Sequence, residues 1–166
     1  DTIGIFPTQG FQVAFPMESG AGTQSASFNG GGWGLKNSAV YSAYYPLVGQ
    51  FYLDKTKIPI SFIGQTQTGN ASHEHIGSYD FMAAINSAVN DLGTITFNFQ
   101  HLVCILHLSI TMPQAGTYTK LLLESNGNLI NEGTLNLTDG EVTATKVSPI
   151  QELTFDNLTL NSDNQV

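Results

Sequence analysis

With 166 residues, 41% of them hydrophobic and 11% charged, the chain can bury a core without disulfide or metal staples, but its polar surface must be mostly Ser, Thr, Asn and Gln. Five lysines, no arginine and a formal net charge of -8 exclude the basic footprint that nucleic acid or an anionic membrane surface would need. The single cysteine excludes an internal disulfide and any cysteine-rich zinc site, and no stretch reads as a membrane-spanning helix.

Turn formers cut the chain into short pieces rich in β-branched and aromatic residues, which predicts an all-β sandwich or barrel. Thr2-Ile3-Gly4-Ile5-Phe6, ended by Pro7, reads as an opening strand. Residues 7–29 read as a long Gly-rich loop. Trp33-Gly34-Leu35 leads into an aromatic strand over 39–45, stopped by Pro46. Phe51-Tyr52-Leu53 and the 58–63 segment follow, and Pro59 confines the latter to a sheet edge or an irregular stretch. In 79–92, Phe81, Ile85, Ala88, Val89 and Leu92 recur at helical spacing, so a short helix near 81–92 competes with a strand. Asp91-Leu92-Gly93 would stop such a helix.

The 94–111 segment carries the strongest strand signal. Ile95, Phe97 and Phe99 alternate with Thr96, Asn98 and Gln100, and the pattern then turns continuously apolar over 102–106. That change predicts passage into a fully buried core or a β-bulge, with Cys104 as a small buried hydrophobe. Beyond it, Tyr118 to Leu123 reads as a strand before an Asn126-Gly127 turn, and Asp139-Gly140 marks a second turn between 134–138 and 141–145. Leu153-Thr154-Phe155 and Leu158-Thr159-Leu160 close the chain before a polar tail that should fray. No repeat or linker divides it, so the expectation is one domain over 1–166 with about seven strands.

No side-chain constellation points to catalysis. His101 and His107 flank the apolar run without a nearby nucleophile, and a Gly-x-Ser-x-Gly elbow is absent. His101 reads as a structural hydrogen-bonding residue at a sheet edge or strand switch. On a strand, His73 and His75 would share a face and Asp80 could add an oxygen, but zinc asks for three or four ligands and only two are local, so no metal is expected. Gly30-Gly31-Gly32-Trp33-Gly34 lacks the Lys-Ser/Thr of a phosphate loop, and no cofactor is expected. The remaining candidates for contact with a partner or ligand are the aromatics Trp33, Tyr44 and Tyr45. Tyr44 and Tyr45 must point to opposite faces of their strand, one inward and one partly outward.

The order of Ile3-Gly4-Ile5-Phe6, Gly32-Trp33-Gly34-Leu35, Tyr41-Ser42-Ala43-Tyr44-Tyr45-Pro46-Leu47, Ser78-Tyr79-Asp80-Phe81-Met82-Ala83-Ala84 and Ile95-Thr96-Phe97-Asn98-Phe99-Gln100-His101-Leu102 resembles the fimbrillin family of Bacteroidetes over roughly residues 2–140. The resemblance implies a transthyretin-like Greek-key β-sandwich, as in the N-terminal domain of a fimbrial subunit. It also implies a non-enzymatic protein of the outer-membrane surface, held there through a lipid anchor on its precursor. Its partners would be other fimbrial subunits and a host or bacterial surface glycan or protein. Assembly would then be strand donation at a sheet edge, with the first strand, 2–6, as the detachable piece. The alternative is a glycan- or ligand-binding surface module that uses the aromatics. The family's lipobox cysteine and basic cleavage site are not seen in this sequence.

Overall fold

The computed structural model describes residues 1–31, 35–36, 39–49, 54–90 and 93–160, apart from the Asn157 side chain. It is all-β. The strands are β1 (Thr2–Pro7), β2 (Val13–Ser19), β3 (Ser27–Phe28), β4 (Val40–Tyr45), β5 (Ile58–Ser61), β6 (Gln65–Thr68), β7 (Met82–Ala88), β8 (Gln100–His101), β9 (Gly116–Leu135) and β10 (Val142–Leu160). A 3-10 turn at Glu74–Ser78 separates β6 from β7. One sheet has the order β3-β2-β1-β4-β7-β8 and the other β5-β9-β10-β6. The chain forms two compact units. The first comprises Asp1–Ile60, Asp80–Val103 and Thr134–Thr143, and the second Ser61–Tyr79, Cys104–Gly133 and Ala144–Val166.

In the first unit β1 is a central strand. It pairs antiparallel with β2 from Thr2↔Pro16 to Ile5↔Val13, and with β4 from Gly4↔Tyr44 to Pro7↔Tyr41. Its side chains are buried on both faces. Ile3 and Ile5 join Phe15, Tyr41, Ala43 and Val89 in one cluster, while Phe6 stacks with Tyr44 at a centroid distance of 6.3 Å. The detachable piece expected at 2–6 is therefore not β1: removing it would break two ladders and uncover these side chains.

The 81–92 ambiguity resolves as a strand. Met82–Ala88 pairs with β4, through Ala43↔Ala84, Tyr44↔Ala83 and Tyr45↔Met82, and with β8 through Met82↔His101. Ala83 and Ala84 favour a helix in isolation, but here their small side chains lie against a crowded aromatic strand, and ladder pairing overrides propensity. The loop expected over residues 7–29 also changes in part, since that segment carries β2 and β3. The expected strand at Phe51-Tyr52-Leu53 and the stop at Asp91-Leu92 lie outside the described residues.

The largest departure follows β8. Ile95, Phe97 and Phe99 do pack on the core cluster, but residues 104–110 join no strand, and Ile105, Leu106 and Leu108 are 58%, 60% and 42% exposed. Cys104 is exposed rather than buried. An apolar run specifies neither a cover nor a core. The same residues suit a strip left uncovered on a surface.

In the second unit β6 pairs in parallel with β10, from Leu153↔Gln65 to Asp156↔Thr68. The Phe62 N–H donates to the Asn131 carbonyl at 2.8 Å, and the Gln151 amide donates to the Phe62 carbonyl at 2.6 Å. Asn126-Gly127 is not a turn. β9 runs through it, Gly127 keeps an ordinary φ, and its N–H donates to Ser125 Oγ at 3.1 Å. The other expected turn forms, in the first unit: Gly140 sits at φ +80°, where a side chain would be strained, and the Glu141 N–H donates to Asp139 Oδ1 at 2.9 Å.

Candidate functional site

The aromatic candidates separate. Tyr44 is 0% exposed. Its hydroxyl accepts from the Val48 N–H at 3.2 Å and faces two acceptors, the Val48 carbonyl at 2.8 Å and Gln12 Oε1. Burial pushes its pKa up to about 12, against the lesser pull of these hydrogen bonds. The ring is enclosed and presents no face to a ligand. Tyr45 is half-buried, and its hydroxyl donates to Asp1 Oδ1 at 3.0 Å. Its phenol is also pushed upward, first by burial and then by the Asp80 carboxylate. Trp33 lies outside the described residues.

The histidines fall into separate settings. His101 Nδ1 lies 2.7 Å from Asp80 Oδ1 on the edge strand β8. This pairing spans 21 residues of sequence, beyond the reach of local inspection. His73 caps the 3-10 turn and His75 lies within it, so they do not share a strand face. His75 is pushed toward its neutral form, first by burial and then by His73. Its Nδ1 is buried without a partner. His73 meets His107 edge-on at 6.4 Å. Among the described residues no group of three or more His, Cys, Asp or Glu could hold a metal ion.

What the β5-β9-β10-β6 sheet does present is strand edge. β5 and β6 have four residues each, while β9 and β10, which they flank, have twenty and nineteen. Four-residue strands cannot cover edges of that length, so most of the outer edges of β9 and β10 lies beyond what β5 and β6 can pair. The hairpin also exposes Leu122, Leu123, Ile130, Val147 and Ile150. A signal for this was present: in Leu121-Leu122-Leu123 adjacent leucines must point to opposite faces, so a single buried face cannot cover them all.

Such a site offers backbone hydrogen-bonding groups and apolar side chains to another polypeptide, as in a β-protein suited to association. A family model described as fimbrillin-like matches residues 4–165. The chain belongs to the fimbrillin-like family. Membership indicates a fimbrial subunit at the cell surface, structural rather than enzymatic, that associates with other fimbrial subunits. Comparisons with curated proteins and with solved structures give no match. Among the described residues no helix is long and apolar enough to cross a membrane.

Proposed function

We propose that the chain acts as one assembling subunit of a surface fimbria and that it grows by backbone pairing along the β9–β10 hairpin. The observation that carries this reading is the mismatch between the long hairpin strands and the four-residue strands flanking them. The incoming piece is the 104–110 strip of a second copy, which is apolar, exposed and free of any strand of its own. Donor and acceptor are different surfaces of one chain. Their contact is heterologous, so repeated addition gives an open filament unless the geometry closes a ring. Anchoring at the outer-membrane surface through a lipid on the precursor, and adhesion to a surface glycan or protein, belong to the same proposal.

Cys104 supplies a native probe. Its exposed thiol lies within the strip, and Ile150 is exposed on β10. Under mild oxidation, Ile150→Cys is expected to give a ladder of disulfide-linked multimers that a further Cys104→Ser change removes. Val147→Cys and Ile130→Cys sample neighbouring registers in case the strip lies displaced along the edge. If none of the three variants cross-links through Cys104, the strip is not the donor.

A further inference from the structure

The hairpin formed by β7 and the 95–101 segment is zipped at its two ends and open between them. At one end Met82 pairs with His101 and Ala83 with Gln100; at the other Val89 bridges Ile95. Between these points Thr96 to Phe99 joins no ladder. The cause lies in β7. Tyr41 faces Ser87 but Ala43 faces Ala84, so β7 carries one extra residue there. Asn86 takes up the irregularity at φ +53°, and its N–H donates to Oγ of the buried Ser42 at 3.2 Å. The bulge is thus pinned from β4. The opened stretch lines a cleft of about 630 Å³, with Asn86, Ser87, Thr96, Asn98, Gln100 and Asp139 supplying its polar groups.

The composition of this cleft selects a ligand class. Its amides and hydroxyls both donate and accept, which matches a ligand whose own groups do the same. Neither Lys nor Arg lines it, and the Asp139 carboxylate, fixed by the Asn136 amide at 2.8 Å and the Glu141 N–H at 2.9 Å, repels anions. One carboxylate is a poor set of ligands for a hard cation. A peptide strand would have to separate a ladder closed at both ends. The volume falls within the range of about 300–1,000 Å³ usual for small-molecule sites. We propose that this cleft binds a neutral sugar unit, through Asn98, Gln100 and Asn86 to its hydroxyls, with Asp139 accepting from a hydroxyl pair and excluding acidic sugars. Asp139 comes from the β9–β10 turn and the other polar groups from β7 and the 95–101 segment.

The test is an amide NMR titration of the full chain with glucose, galactose, mannose and N-acetylglucosamine, and with glucuronate as the anionic comparison. At least one neutral sugar is expected to give saturable shifts confined to residues 84–88, 96–100 and 138–140, and glucuronate none. Asn98→Ala/Gln100→Ala, two changes at exposed positions, is expected to keep the native spectrum and weaken binding about tenfold or more. Asp139→Asn is expected to admit glucuronate. The proposal is overturned if no neutral sugar shifts these amides, if the shifts fall elsewhere, or if the double variant binds unchanged.

Discussion

Replacing Ile105, Leu106 and Leu108 together by aspartate is expected to abolish assembly of the subunit while leaving its fold intact. The three side chains are 58%, 60% and 42% exposed, so they contribute little to the monomer's core. In the proposed contact each would pass from about half-exposed to buried, worth roughly 1 kcal/mol apiece on the usual scale for aliphatic burial. Losing all three weakens association by about a hundredfold or more, and carboxylates at a pairing surface add a desolvation penalty. Surface changes of this kind usually move monomer stability by only about 0.5 kcal/mol per site. Sedimentation velocity and electron microscopy are expected to show monomers for the variant and filaments for the parent chain. Phe11→Asp, at an exposed position in the other unit, should leave filaments in place. Parent-like filaments from the triple variant would rule out the strip.

The sequence carried the parts of the fold that rest on local chemistry. Pro7 is the last residue of β1 and Pro46 follows the end of β4, each without an N–H to give to a ladder, and Pro59 falls on the edge strand β5, with Ile58 and Ile60 buried on either side of it. Asp139-Gly140 makes its turn because Gly140 tolerates φ +80°. Alternation correctly separated Ile95, Phe97 and Phe99 from Thr96, Asn98 and Gln100.

What the sequence withheld depends on long-range partners. Nothing near Met82–Ala88 states that β4 and β8 will pair with it, and Asn126-Gly127 forms no turn because β9 continues as a strand. The 104–110 run looks like core because composition reports hydrophobicity and not what covers it. The same gap hid the proposed assembly edge: among the described residues, how much of an edge its neighbours can pair follows from the lengths of neighbouring strands, which is a property of topology. The open stretch of the β7 hairpin depends on an extra residue against β4, and although Asn86 tolerates its positive φ, nothing local to Ile85 and Asn86 states that β4 will impose it.

Gly4→Ala is expected to destabilise the first unit by about 2 kcal/mol, through overpacking. A Cβ on Gly4 would overlap Tyr44 Cε1 and lie 2.8 Å from Cζ. The ring has no simple retreat: it is fully buried, stacked on Phe6 and tied through its hydroxyl to Gln12 and Val48. Because Gly4 and Tyr44 are ladder partners, moving one strains the β1–β4 register. Removing a glycine from a strand would by itself gain up to about 1 kcal/mol, and the clash has to exceed this. Combining Gly4→Ala with Tyr44→Leu should cost less than the sum of the single changes, the coupling expected of touching residues. Phenol absorbance gives a second readout. A tyrosine raised in the folded state from 10.0 to about 12 contributes its full stabilisation below pH 10 and loses it as pH climbs from there through about 12. The parent should thus weaken over that window as the unfolded chain gives up its Tyr44 proton first. In Gly4→Ala a displaced ring should titrate nearer 10 and flatten that dependence. A variant as stable as the parent, with the same alkaline profile, would show that the ring stays buried beside the added Cβ and that Gly4 is not fixed by Tyr44.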